Sequence, residues 1–221
     1  LKDPNLGVHF DTTFIEVYMC HLKAGTGVTN AALRAEQTAI LMDYIASRPL
    51  DRNHFVCGDL NVYTSNETGY QNLLSGPFGL IDPINAPGSW NNNASYAAAH
   101  TQSTRNNQSL DCGSLGGLDD RFDQILVSNN VMQGTDSMMY LVDSYDAVGN
   151  DGNHFNSNLL AAPVNTQYPD SVVRALYYMS DHLPVALKAV VNFPTSNGLT
   201  LYPIVQGVSC YGENTGQATI V

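Results

Sequence analysis

The sequence predicts an α/β protein with helices packed on the faces of a sheet. Three observations carry that prediction. Apolar, β-rich runs alternate with helical three-to-four spacing as far as Leu74, in the order strand, helix, strand, helix. The chain has 221 residues, 43% of them hydrophobic, which suits one domain with a sizeable core and a short appendage. No run approaches the roughly 18 consecutive apolar residues of a transmembrane helix, so no membrane span is expected.

Residues 8–22 read VHFDTTFIEVYMCHL, two β-rich runs divided by Asp11-Thr12-Thr13, which suggests a hairpin. The second run, Phe14 to Leu22, reads as a buried strand. Gly25 and Gly27 punctuate a loop. Asn30 is placed to cap a helix reaching about Ser47, with Leu33, Ile40, Leu41, Tyr44 and Ile45 as its apolar stripe and Pro49 just beyond its end. His54 to Cys57 is a short strand ending in Gly58-Asp59-Leu60-Asn61, and Glu67 to Leu74 a second helix. Residues 85–119, with Asn91-Asn92-Asn93 and three glycines among 113–117, show little periodicity and read as a surface-exposed loop or insertion. Phe122 to Ser128 and Met138 to Tyr145 read as strands, and 146–171 as a second Asn/Gly/Pro-rich excursion. Val172 to Met179 fits helix or strand. Leu183 to Val191 reads as a strand closed by Phe193-Pro194, after which the composition changes.

Nine Lys+Arg against twenty Asp+Glu leave a net charge of −11. That argues against a partner held mainly by phosphate neutralisation, but not against a phosphate bound through a metal ion, which reverses the charge of a carboxylate pocket. Charged residues, at 13%, fall well below the roughly 25% of ordinary soluble domains. The acidic, Asn-rich, Lys-poor surface fits an exported protein. Cys20, Cys57, Cys112 and Cys210 have no zinc-ligand spacing. Cys20 and Cys57 end apolar runs and read more readily as small core residues than as halves of a disulfide.

Four polar groups fall at strand ends: His21; Asp59 with Asn61; Arg121 with Asp123; and Asp181 with His182. Rigid strands aim loop side chains at such ends. Taken singly, each has a plainer explanation. Gly-Asp-Leu-Asn is a common turn, a lone histidine after an apolar run is usually a core or edge residue, and Ser-Asp-His makes a solvated corner. A serine-hydrolase relay of Ser180, Asp181 and His182 fails on geometry, because consecutive residues of an extended segment point to opposite faces and no GxSxG elbow is present.

The order His…GDxN…RxD…SDH, in YMCHLKAG, HFVCGDLNVY, DDRFDQILVS and YMSDHLPVAL across residues 18–187, resembles the endonuclease/exonuclease/phosphatase superfamily, which includes deoxyribonuclease I. The resemblance implies a two-layer β-sandwich flanked by helices, incomplete here at its N-terminus. It implies hydrolysis of phosphate esters dependent on a divalent metal: Mg²⁺, with Mn²⁺ or Ca²⁺ as substitutes. Asp59 would orient or activate the attacking water and touch a metal. Asn61 would hold the phosphate or the nucleophile, and His21 would face the phosphate. His182 would contact a phosphate oxygen or move a proton. Asp123 would hydrogen-bond His182, fixing its tautomer and raising its pKa. Asp181 would lie at or near the metal. Arg121 would be structural, pairing with Asp119 or Asp120.

The chain departs from the family pattern in one respect. The family's metal-binding glutamate, in a Gln-Glu pair, has no counterpart in the twenty residues before His21. Glu16 lies five residues before His21 on the same strand and so on the opposite face. The expectation is that residues 1–194 are the C-terminal part of such a domain, that apolar faces stand uncovered, and that this piece is inactive while the full-length parent is active. The alternative is a catalytically silent binding or surface module keeping the fold. Residues 195–221 read as a linker and the start of something else. Asn197 to Pro203 and Asn214 to Ile220 resemble the start of a type IX secretion sorting domain of Bacteroidetes, which implies a secreted or cell-surface bacterial protein. The substrate would be a phosphate ester, nucleic acid slightly favoured, with the Asn-rich excursions and Arg105 near the rim. Oligomeric state leaves no mark in the sequence.

Overall fold

The computed structural model describes residues 13–49, 53–107 and 113–191, and the backbone of two short strands, Pro203–Val205 and Ala218–Ile220. The architecture is mixed α/β in small sheets. Strand β1 (Ile15–His21) leads through the Gly25/Gly27 loop into helix α1 (Val28–Ala46), then β2 (Asn53–Asp59) and helix α2 (Thr68–Leu74). A 3₁₀ turn, Ala94–Ala99, precedes β3 (Asp123–Val127), α3 (Asn129–Gln133), β4 (Met138–Tyr140), β5 (Asp146–Ala147), α4 (Asp170–Met179), β6 (Val185–Ala186) and β7 (Ala189–Val191). The last two strands, β8 (Pro203–Val205) and β9 (Ala218–Ile220), pair antiparallel. The hairpin reading around Asp11, Cys112 and Cys210, and most of the sorting-domain resemblance, lie outside the described residues.

The principal sheet has the order β1-β2-β3, with β1 and β2 parallel and β2 and β3 antiparallel. One face packs Tyr18, Cys20, Val56 and Leu126 with Ile45 of α1, Tyr70 and Leu73 of α2, and Trp90 of the loop that follows. The other face packs Phe55 and Val127 against Met138, Tyr140, Ala189 and Val191 of the antiparallel pair β4-β7. A third cluster, Leu118, Leu159, Val173, Leu176 and Leu183, joins α4 to the long loops.

Several elements differ from the sequence reading. Helix α1 begins at Val28 with Gly27 as its cap. Asn30 lies inside it, its side-chain amide donating back to the Thr26 carbonyl. Of the expected apolar stripe Ile45 is buried and Leu41 packs on the core, but Leu33, Ile40 and Tyr44 are 40%, 63% and 53% exposed, and the helix buries Arg34 and Thr38 as well. Arg34 is tolerated there because Glu67 takes its guanidinium at 2.7 Å and the carbonyls of Lys23 and Gly25 take the rest. The long loop 85–119 is a surface excursion only in part: Asn91, Asn92, Asn106 and Asn107 are exposed, but the segment also enters the interior. Its described residues Trp90, His100, Thr101, Ser103, Thr104 and Arg105 are all buried. Apolar periodicity could not reveal this, because the segment is held by polar bonds rather than by an apolar stripe. Met138 to Tyr145 is a strand only as far as Tyr140, and Leu183 to Val191 is split at Leu187-Lys188 into β6 and β7. The ambiguous segment before Met179 is helical. On β1, Ile15, Val17 and Met19 are 36%, 54% and 68% exposed. Cys20 and Cys57 are free thiols, half-buried, whose pKa values burial raises, Cys57's to about 11.

Candidate active site

Sheet register builds the first row of the site. His21 is the last residue of β1, Asp59 the last of β2 and Asp123 the first of β3, and they stand side by side as His21↔Asp59 and Asp59↔Asp123. Residues paired across a ladder project to the same face, so three polar side chains collect at one end of an otherwise apolar surface. The strands approach closely because residue 58 is glycine. At φ +125°, a Cβ there would stand 2.1 Å from the Cys20 carbonyl oxygen. His21 Nε2 lies 3.4 Å from Asp59 Oδ2. Asn61, at φ +51°, closes the turn: its backbone N–H donates to Asp59 Oδ1 at 2.9 Å and its side-chain amide to the Leu22 carbonyl at 3.1 Å. It thus ties the ends of β1 and β2 together and leaves Asp59 Oδ2 facing the histidines.

The second row comes from the loops. His182 Nδ1 meets Asp123 Oδ2 at 2.7 Å, and His182 Nε2 is 3.9 Å from Asp59 Oδ2. Residues 101–104 form the strut that delivers His182. The Thr101 hydroxyl donates to Asp123 Oδ2 at 2.7 Å, the Thr101 carbonyl accepts from Leu183 N–H, and Thr104 N–H donates to the Asp181 carbonyl. Gln102 bridges in backbone to both Asp120 and His182, and its amide stands 2.6 Å from His182 Nε2 and 3.3 Å from Asp181 Oδ2. Asp181 Oδ2 also accepts from Ser114 N–H at 2.7 Å. Asp181 is therefore held to the loop, beside the histidine rather than in the row with Asp59.

The charges perturb one another. Burial by itself would lower the pKa of His182, but the hydrogen bond and charge of Asp123, with Asp59 and Asp181 behind it, push it up to about 9. That shift favours the imidazolium at neutral pH. The Gln102 amide nitrogen, which also donates to Asp181 Oδ2, is the atom that meets Nε2, and it serves as a donor there only when Nε2 is bare. Asp59 is raised above the ordinary carboxylate range, first by burial and then by Asp123, against the lowering effect of His182, Asn61 N–H and His21. Asp120 is pushed up to about 6 by burial, aided by Asp119 and Asp59, although Asn91 donates to its Oδ1 at 2.9 Å.

The site is recessed on one side and open on the other. The side chains of Asp59, Asp123 and His182 are 13%, 16% and 21% exposed, whereas that of His21 is 76% exposed and forms a lip. A cavity of about 420 Å³ lined by Tyr70, Leu80, Asp82 and Met132 contains none of these groups.

Of the residues named from the sequence, His21, Asp59, Asn61, Asp123, Asp181 and His182 all come to this one end of the sheet. Arg121 does not pair with Asp119 or Asp120. Fully buried, it makes a two-pronged ion pair with Asp82, both bonds 2.8 Å, because only a carboxylate inside the core compensates a guanidinium there. Arg105 is buried too, its Nε donating to the Tyr177 carbonyl. Glu16 is taken by Arg48 at 2.9 Å and lies on the other face of β1 from His21. Thr101, Gln102 and Ser114 went unnoticed in the sequence, and Asp120 was named only as a partner for Arg121. HTQSTR has neither periodicity nor a spacing that marks chemistry.

A hard divalent cation needs several convergent oxygen ligands. Among the described residues no group of three or more His, Cys, Asp or Glu side chains is arranged to hold a metal ion. Asp123 and Asp181 each have one oxygen engaged in the bonds above, and Asp59 Oδ2 faces the two histidines. These residues do not by themselves fit a Mg²⁺ site. No family model, curated protein or solved structure matches the chain.

Proposed function

We propose that this chain carries the anion-binding and proton-handling half of a phosphate-ester hydrolase with the two-layer, deoxyribonuclease I-like sandwich that its motifs resemble. The observation that supports it is the meeting of four separated patches at Asp59. Two imidazoles, 3.4 and 3.9 Å from one carboxylate oxygen, flank it, and one of them is backed by Asp123 at 2.7 Å.

A phosphoryl group in the recess has the His182 cation on one side and His21 on the other, which stabilise negative charge gathering on its oxygens. Asp59 Oδ2 accepts a proton from the attacking water as the new P–O bond forms. His182 Nε2–H, once the Gln102 amide swings aside, protonates the ester oxygen as the old P–O bond breaks. The proton on Asp59 then passes to the bare Nε2, restoring both groups. Metal dependence belongs to the proposal as a question for chelation, and no step is assigned to a metal. Export is supported by the acidic, Asn-rich composition.

The test uses the full-length gene product with bis-p-nitrophenyl phosphate, with and without EDTA. Asp59→Ala and His182→Ala should each lower turnover by about 10²–10⁴-fold while the far-UV circular dichroism keeps the native spectrum. Near wild-type rates in either variant would remove the mechanism. A second reading, a silent binding module, is favoured by the incomplete metal ligand set. It predicts phosphate binding without turnover in the full-length protein.

A further inference from the structure

We infer that the substrate carries its charge on a single phosphoryl group attached to an uncharged, hydrogen-bonding body, and is not a polynucleotide. The inference rests on the phosphoesterase reading and narrows it. A protein that tracks a nucleic-acid backbone needs free Lys and Arg on the surface that meets it, and its affinity comes from neutralising several phosphates.

The chain has nine Lys and Arg. Lys2 and Arg52 lie outside the described residues. Of the other seven, Arg34 and Arg121 are 1% and 0% exposed and bound to Glu67 and Asp82. Arg105 is 3% exposed and donates to the Tyr177 carbonyl. Arg48 is paired with Glu16 at the end of β1 remote from His21. Arg174 is paired with Asp170 on α4, and Lys188 lies between β6 and β7. Among the described cations this leaves Lys23, two residues beyond His21, as the one beside the site.

Against it stand Asp59, Asp119, Asp120, Asp123 and Asp181. The His182 imidazolium, with the His21 ring beside it, can meet one phosphoryl group in the recess. A further phosphate on the side of Asp120, whose charge is coupled to Asp119 and Asp59, would be repelled there, with Lys23 the one described cation near the site to offset it. The wall next to Asp120 is instead amide. Asn91 bonds Asp120, Asn92 N–H donates to the Asp119 carbonyl, and the Asn156 side chain donates to Asn92 Oδ1 at 2.7 Å. Amides of this kind offer donors and acceptors to hydroxyl groups without adding charge.

Two measurements test the inference. Fluorescence anisotropy of the 221-residue chain with labelled single-stranded and duplex 20-mers, from low to moderate salt, should give dissociation constants weaker than about 10⁻⁴ M and a nearly flat salt dependence. Tighter binding with a log–log salt slope steeper than about −2 would overturn it. The full-length protein should turn over glycerol 1-phosphate or bis-p-nitrophenyl phosphate with kcat/KM at least tenfold above that for plasmid DNA or RNA. Equal or faster polynucleotide cleavage overturns this inference while leaving the hydrolase reading intact. Failure on every phosphoester sinks the hydrolase reading itself.

Discussion

Replacing Asp123 by Asn tests the central electrostatic contact with little change of shape. In the native protein the Asp123 carboxylate lies 2.7 Å from His182 Nδ1, and the imidazole pKa stands at about 9 against an ordinary 6.5. That difference corresponds to about 3 kcal/mol favouring the charged ring. The His182 side chain is only 21% exposed, so solvent screens the contact weakly. Asp59 and Asp181 remain in the variant and keep part of the effect, so the pKa should fall by at least about one unit, or about 1.4 kcal/mol. Histidine Cε1–H resonances followed by NMR between pH 5 and 10 report this directly, with His182 assigned by its loss in His182→Gln. The folded-state pKa is raised, so the stabilisation is complete below pH 6.5 and disappears as pH rises through about 9. Chemical denaturation across that window should therefore show wild type losing stability with rising pH, and Asp123→Asn losing less. A His182 pKa unmoved by the substitution would refute the assignment of Asp123 as the main source of the shift.

Three further outcomes follow from the geometry. Asp82→Asn strips the charge partner from a fully buried guanidinium and should cost about 3–5 kcal/mol, read by urea denaturation; a loss below about 1 kcal/mol would mean the pair is hydrated. Its carboxylate pKa is lowered mainly by Arg121, against the upward push of burial. The pair's contribution is therefore present above the ordinary carboxylate range and lost as pH falls through the depressed value, giving acid-sensitive melting that Asp82→Asn abolishes. Gly58→Ala places a Cβ against the Cys20 carbonyl at a positive φ and should destabilise the β1-β2 pair by about 1–3 kcal/mol, lowering the melting temperature; an unchanged melting temperature would show that the strands separate freely. Calorimetric titration of the 221-residue chain with Mg²⁺ should show no saturable binding tighter than about millimolar, since no three ligating side chains converge among the described residues. Micromolar binding would reveal ligands beyond the described residues.

Local chemistry made part of this protein legible. The short strand before Gly58-Asp59 and the helix over the residues before Leu74 follow from β-branched runs, glycine punctuation and apolar spacing, all properties of neighbours in sequence. The site residues His21, Asp59, Asn61, Asp123 and His182 lie at the boundaries of apolar runs, but singly each had a plainer explanation, and only their order, with the family resemblance it carries, marked them out. The start of α1 was misread because Gly27, at φ +89°, caps it where Asn30 was the obvious side chain. The buried loop around Trp90 and Thr101 was misread because its anchors are hydrogen bonds to distant carbonyls, which leave no pattern in sequence.

The amino-acid order, then, determined which polar groups are at hand and that each sits at a strand boundary, since strand ends and turn formers are set by residues a few positions apart. Tertiary structure decided which of these groups share a cleft. Ladder register put His21, Asp59 and Asp123 in one row, and the 101–104 strut set His182 upon them. It also decided that Arg121 belongs to Asp82 and Arg34 to Glu67, because a buried charge is settled by whichever opposite charge the fold carries inside with it.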